Sequence, residues 1–268
     1  RRSGRKCRIP GKTTTEVERP MSIRRVCGID LWLEEGRNGD QPTLLLMHGL
    51  SGTGDIWQGL KPILAEKWPG RWIIPDMRGH GRSGHSAIYG IANHAMDMAA
   101  LMENMGETYL AGHSMGGLVG ILLASGWFGV LPKAVVTAGV KVTWTSEEHA
   151  ALSKLIGTPA RWFDTEQEAR ERFIRVTGLS DVVDATSNIA DSGILEKDGK
   201  WRLSADNRTA MVAFADATDI YNSARVPVVL AAGEHDQMVN VDDLRTLDPG
   251  SQQLPGLGHN AHVENPDA

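Results

Sequence analysis

The chain has 268 residues, 41% of them hydrophobic and 23% charged, a balance that suits one domain or a core domain carrying an insertion. Its formal net charge is −5, but residues 1–20 hold seven basic and two acidic side chains, so the rest carries 21 basic against 31 acidic. An acidic body argues against a nucleic-acid groove, and no apolar run approaches the roughly 18–20 residues that span a bilayer, so neither nucleic acid nor membrane is expected as a partner.

The basic arm at 1–20 (Arg1, Arg2, Arg5, Lys6, Arg8, Lys12 and Arg19 against Glu16 and Glu18) lacks an apolar h-region and a regular amphipathic period. It reads as sequence upstream of a start at Met21, as a targeting segment, or as a polyanion-binding tail, with the first favoured. Ile23 to Glu34 alternates in part (Val26, Ile29, Leu31, Leu33) and predicts an edge hairpin, with turn chemistry at Gly36-Arg-Asn-Gly39. Thr43-Leu-Leu-Leu-Met47 is an apolar run ending in a glycine-rich loop, His48-Gly-Leu-Ser-Gly-Thr-Gly54, which predicts a central parallel strand covered on both faces.

The same pattern recurs downstream. Trp72-Ile-Ile-Pro-Asp76 predicts a strand, Ile91 to Met105 a helix, Tyr109 to Ala111 a strand, Gly116 to Ser125 an apolar helix, and Lys133–Val140 and Val226–Ala232 two further strands. Strands alternating with helices indicate a parallel α/β sheet, with successive strand C-termini on one edge. Residues 141–225 break the rhythm. Glu147–Ile156, Thr165–Thr177, Ser180–Gly193 and Asp206–Thr218 read as helices and Asp198-Gly-Lys200 as a turn, so this stretch is expected to be an inserted helical cap on a core built from 21–140 and 226–268. Cys7 and Cys27 make no disulfide framework or metal set, and a reduced, cytoplasmic protein is expected.

Gly112-His-Ser-Met-Gly116 matches G-x-S-x-G between a strand and an apolar helix, the setting of a nucleophile elbow. A tight strand-to-helix turn strains the serine, needs glycine neighbours, and aims the first helical amides at one spot. Ser114 is thus the candidate nucleophile. A serine needs a base; where such an elbow is catalytic, the acid and then the histidine follow the serine along the chain, which leaves His149, His235, His259 and His262. His259, in the glycine-rich stretch Pro255-Gly-Leu-Gly-His259, is assigned as base, and His262 is read as a structural or pocket-wall residue. The acid that holds the imidazole is assigned to Asp236, past the strand Val228–Ala232, with Glu234 as competitor. The oxyanion donors are expected at the amides of Met115 and Leu50, and His48 is expected to pin the Leu50 loop.

These segments resemble the α/β-hydrolase superfamily across about 23–268. The resemblance rests on His48-Gly-Leu-Ser-Gly-Thr-Gly, Asp76-Met-Arg-Gly-His-Gly-Arg-Ser83, Gly112-His-Ser-Met-Gly-Gly117, and Gly233-Glu-His-Asp236 followed by Gly258-His259. It implies an α/β-hydrolase fold with a mostly parallel central sheet flanked by helices, and a structural role for Asp76 and Arg78. Haloalkane dehalogenases and epoxide hydrolases carry aspartate where Ser114 stands, so the chemistry implied is acyl transfer to serine. The chain looks most like capped carboxylesterases, lactonases and haloperoxidase-like esterases.

The expected function is therefore serine hydrolysis of small or medium esters or lactones, with no metal or organic cofactor. The alternatives are C–C or amide hydrolysis or perhydrolysis by the same triad, and a small-molecule receptor built on the fold. Trp144, Trp162, Phe163, Met211 and Phe214 are candidate substrate-pocket residues. In this family a helix normally follows the histidine. Glu264-Asn-Pro-Asp-Ala268 reads as its start, with Asn265 as cap and Pro266 at the first position, so apolar sheet surface is expected to lie bare or to be covered by something else.

Overall fold

The computed structural model describes residues 21–268; the basic arm lies outside the described residues. Eight strands form one sheet: β1 (Met21–Val26), β2 (Ile29–Arg37), β3 (Thr43–Met47), β4 (Arg71–Pro75), β5 (Thr108–His113), β6 (Val135–Ala138), β9 (Val228–Gly233) and β10 (Gln252–Leu254). Their spatial order is β1-β2-β4-β3-β5-β6-β9-β10. β1 and β2 pair antiparallel, as do β2 and β4, and every later neighbour is parallel. The parallel strands therefore end on one edge, at His48, Asp76, Ser114, Gly139 and Glu234.

The first hairpin turns at Cys27-Gly28, where both residues have positive φ (46° and 78°), and not at Gly36-Arg-Asn-Gly39. A two-residue turn of this hand follows the twist of its strands, and β2 runs on through Gly36 to pair with β4. The short β10 escapes sequence reading because only three residues pair.

Side chains alternate across the sheet with period two. Leu45 and Met47 of β3 and Ile73 of β4 face a core cluster filled from α2 (Ile91–Met102) and α3 (Met115–Leu123). Leu46, Trp72 and Ile74 face a second cluster. Every residue of α3 is buried, as its uniformly apolar sequence demands. On the second face Val136 of β6 and Val229 of β9 are register partners, and they stand 51% and 43% exposed. Asn265 has an extended backbone and its side chain accepts the Asp267 N–H at 3.2 Å, the bonding of a helix cap.

The stretch between β6 and β9 holds α4 (Ser146–Ile156), α5 (Glu166–Val176), a hairpin β7 (Ile194–Lys197) and β8 (Lys200–Leu203), and α6 (Ala217–Asn222). α4 and α5 each begin with a capping box, Thr145/Glu148 and Thr165/Glu168, the T-x-x-E signature of a helix start. The expected helix at 180–193 is instead a run of turns with a 3-10 segment at Asn188–Ala190, and that at 206–218 is a 3-10 segment over Asn207–Phe214. Ser187 and Asp206 bond to the N–H two residues on, which favours a tight turn over a sustained helix. Asp198 and Gly199 make the β7–β8 turn with positive φ.

α5 ends in a Schellman motif. Gly178 takes φ +72°, Leu179 N–H bonds to Ile174 O at 2.9 Å, and Gly178 N–H to Arg175 O at 3.3 Å. Leu179, Phe173 and Ile174 are buried in the second cluster with Trp57 and Ile56 from the core, so the insertion and the sheet share one apolar interior. Phe173 is fully buried, with Gly193 against its ring. Phe173→Ala is expected to cost about 3–5 kcal/mol, measured by urea unfolding; a loss below about 1 kcal/mol would show that this interior contributes little.

Candidate active site

Ser114 sits at the β5–α3 junction with φ 49° and ψ −114°, a conformation that costs an L-residue on the order of 1–3 kcal/mol. Its N–H donates to Ala138 O of β6 at 2.8 Å, and its carbonyl accepts the Leu118 N–H at 3.1 Å. The flanking glycines are required by contact. A Cβ at Gly112 would lie 2.4 Å from the Gly117 nitrogen, and one at Gly116 would lie 2.3 Å from the Met47 carbonyl oxygen. The elbow therefore packs directly against β3, and Gly49 after that strand abuts Ser114. The Leu50 and Met115 N–H groups donate to no backbone acceptor among the described residues.

The loop His48–Leu50 is held by His48, which is fully buried. His48 Nε2 accepts the Met77 N–H at 2.9 Å, so its Nδ1–H donates to Gly49 O at 2.8 Å. One neutral ring links the loops after β3 and β4. Asp76 ties two more segments: Oδ1 accepts the Gly54 N–H at 2.7 Å, and Oδ2 accepts the Arg82 backbone N–H and Nε–H at 2.9 and 2.7 Å. Arg78 makes a bidentate pair with Asp97, both contacts 2.6 Å. Asp76 and Arg78 are thus saturated by structural partners.

His259 lies past β10. Its Nδ1–H donates to Asp236 Oδ2 at 2.8 Å, and the Asp236 side chain is wholly buried. Asp236 Oδ1 accepts the Met238 and Val239 N–H groups at 2.7 and 3.0 Å, so the turn after β9 fixes the acid. With Nδ1 committed, Nε2 is the basic nitrogen of a neutral His259. The ring packs on Gly139, at the end of β6, where a Cβ would come 3.0 Å from its Cε1. That places it at the strand edge where Ala138 holds Ser114. Glu234 instead accepts the Gly256 N–H at 2.8 Å and is exposed. Of the other histidines, His235 is exposed and His149 lies in α4.

Three further residues hold the histidine loop. His113 Nε2 donates to His259 O at 3.0 Å, since a carbonyl only accepts. Glu264 accepts the N–H groups of Gly258 and Asn260, at 2.7 and 3.2 Å. Asn260 Nδ2 donates to Thr177 O and Gly178 O at 3.0 and 3.1 Å. None of the three carried a readable signal: Glu264 stands four residues after Asn260, outside the three-residue spacing of a capping box. The partners of His113 and Asn260 are backbone carbonyls, which no residue pattern reveals.

The candidate pocket residues scatter. Phe163 is 8% exposed inside the second core cluster, where it bridges to Trp201; it packs the insertion and lines no open surface. Its neighbour Trp162 is 43% exposed beneath the Arg202 guanidinium. Trp144, His149 and Phe214 form a stack, with ring centroids 6.0 and 5.0 Å apart and planes within 18°. Met211 is half-buried beside it in the 3-10 segment. No group of three or more candidate metal ligands occurs among the described residues, and no helix among them is long and apolar enough to cross a membrane.

A family model described as the alpha/beta hydrolase family matches residues 44–268. The chain belongs to the alpha/beta hydrolase family. This hydrolase is 24% identical over 241 residues to the sn-1-specific diacylglycerol lipase ABHD11 of Mus musculus, covering 84% of this chain and 77% of that protein. It is 37% identical to the magnesium-chelatase 30 kDa subunit of Rhodobacter capsulatus over 105 residues, 38% of this chain and only 36% of the relative. Among solved structures, E-2-(acetamidomethylene)succinate hydrolase superposes with a TM-score of 0.77 at 24% identity, over 92% of this chain and 96% of that one.

Burial makes this hydrolase sensitive to acid. His94 and His262 are pushed down to about 3, and His80 and His113 well below the ordinary 6.5, all chiefly by desolvation of the charged form. Unfolded, these rings regain a pKa near 6.5 and take up protons that the folded chain refuses. Stability is therefore fully present above about pH 6.5 and is lost as pH falls below it, by about 1.4 kcal/mol per pH unit for each such ring. Urea unfolding between pH 7 and 5 should show this slope, and His262→Phe should remove about one ring's share. A slope that His262→Phe leaves unchanged would mean that the ring is not held neutral.

Proposed function

We propose that this α/β-hydrolase is a serine esterase that cleaves carboxylic esters or lactones through an acyl-enzyme. The observation that carries the reading is the bond between His259 Nδ1 and the buried, amide-held Asp236, set on the same strand edge as the strained Ser114. Asp236 fixes the tautomer that leaves Nε2 free to accept the Ser114 proton. The serine oxygen attacks the substrate carbonyl. The Met115 and Leu50 amides receive the oxyanion, helped by the N-terminal end of α3, whose dipole favours negative charge. His259 then gives its proton to the departing alkoxide. Water then loses a proton to the same nitrogen and attacks the acyl carbonyl; the bond from the acyl carbon to Ser114 Oγ breaks, His259 returns the proton to Oγ, and the acid leaves.

The insertion 141–225 serves in this reading as the cap over the acyl and alcohol sites, with Trp144, Phe214 and Trp162 as aromatic surface offered to substrate. The cytoplasm is the proposed location. The chemistry asks for no metal or organic cofactor.

Ser114→Ala should abolish turnover of p-nitrophenyl acetate while circular dichroism and the thermal midpoint stay near those of the parent protein. Asp236→Asn should lower kcat on the order of a thousandfold or more, because the imidazole loses its tautomer and its counter-charge. Undiminished turnover by Ser114→Ala would overturn the proposal. A panel of esters, lactones and activated amides read against the same variant separates ester cleavage from amide or C–C cleavage.

A further inference from the structure

The residue after the candidate base joins the loop of His259 to the segment between β6 and β9. Asn260 is 2% exposed. Its side-chain amide donates both protons into the insertion, to Thr177 O at 3.0 Å and Gly178 O at 3.1 Å. Those carbonyls lie at the C-terminal end of α5, where a helix has acceptors without intrahelical partners. The Schellman turn at Gly178 swings them outward, and a Cβ on Gly178 would come 3.3 Å from Asn260 Nδ2. The approach is thus close and specific. An apolar contact runs beside it: Val263, three residues on, packs on the cluster holding Phe173, Ile174 and Leu179.

The same short stretch is fixed to the core by other bonds. His113, next to Ser114, donates to His259 O at 3.0 Å. Glu264 accepts the N–H groups on both sides of His259, and Asp236 holds the ring. The His259 stretch is therefore held at its backbone by His113 and by the local Glu264 bonds, at its ring by Asp236, and from the insertion through one residue. The Asn260 backbone bonds within its own stretch, to Glu264 and Val263, and its side-chain amide spans the gap to the insertion.

We infer that Asn260 is a positioning residue through which the end of α5 sets the orientation of the His259 imidazole, so that a displacement of the cap changes the competence of the base. The inference rests on His259 acting as the base of Ser114. If α5 moves when substrate enters or leaves, the two carbonyls pull on Asn260, and the peptide before it carries His259. The effect should fall on the chemical step and not on binding, since Asn260 is buried and is not placed against substrate.

The test compares the parent protein with Asn260→Ala, Asn260→Asp and Ser114→Ala on p-nitrophenyl acetate across pH. Asn260→Ala keeps space and loses both donors. Its kcat should fall about tenfold to a hundredfold, the scale of a displacement near 1 Å at the chemistry, with KM within about threefold. Asn260→Asp above its carboxyl pKa sets an anion against two carbonyls and should fall further. In proton NMR, the downfield resonance of the His259–Asp236 hydrogen bond, assigned by its loss in His259→Ala, should shift or broaden in both Asn260 variants. A kcat at the parent level with an unmoved resonance in Asn260→Ala overturns the inference. So does a kcat loss matched only by a fall in folded fraction, seen in the thermal midpoint and by active-site titration. Turnover surviving in Ser114→Ala would instead sink the esterase reading itself, so the two failures are distinguishable. Where Asn260→Ala does not fold, Asn260→Ser decides: one retained donor should give an intermediate kcat and an intermediate resonance.

Discussion

Ser114 holds a backbone conformation (φ 49°, ψ −114°) from which no relaxation is open to it. The chain before it is bonded to β6 through Ala138, and the helix after it rests on β3 through Gly116. A residue of any size at Gly112 or Gly116 would collide with backbone, which cannot give way as a side chain can. The elbow thus depends on how closely α3 approaches β3 and β5. That approach follows from the apolar burial of Met47, Val119 and Leu122 in one cluster. Strain in one backbone residue is held by an interior of some thirty side chains, which is why such strain persists only where the surroundings over-determine it.

The strand edge then needs its loops to stay in place without burying charge. Histidine serves that purpose repeatedly here. A neutral imidazole offers a donor and an acceptor on opposite sides of a flat, rigid ring. His48 uses both, accepting from Met77 and donating to Gly49. His113 uses its donor on the His259 carbonyl, while its ring lies 4.5 Å from that of His262, which lies 4.4 Å from Trp57. A lysine or arginine would reach the same carbonyls but would bring a charge into an apolar layer. Part of the cost of the histidine solution appears in acid, where the unfolded chain gains protons.

Much of this was legible in the sequence, and the reasons differ by element. The parallel strands announced themselves because burial on both faces leaves continuous apolar runs, as in Leu44-Leu-Leu-Met47 and Trp72-Ile-Ile. Ser114 and Asp236 could be singled out as candidates because each stands just past a readable strand on an edge that topology makes common, and His259 because chain order and its glycine-rich stretch left it as the candidate base. Within the insertion, α4 and α5 carry capping boxes and read correctly, whereas 180–193 and 206–218 have helical apolar spacing but side chains at Ser187 and Asp206 that bond locally and tighten the chain. Phe163 and Trp162 show the limit of composition. They are adjacent aromatics on an extended segment, so one faces the interior and the other solvent, and only the bridge to Trp201 decides which.

Asn260 belongs to the class that sequence cannot reveal, a side chain whose partners are backbone carbonyls 82 and 83 positions away. Its presence changes how the insertion is understood. A cap that merely covered the sheet edge could meet the core through apolar contacts alone, which resist separation but do not fix register. Directed hydrogen bonds do fix it, and two of them run from Asn260 to the carbonyls just past α5. They end on the peptide next to His259 and on no other part of the core. The mechanical path from the end of α5 to the imidazole is therefore one residue long, and any rearrangement of the insertion that keeps those bonds must carry the His259 loop with it.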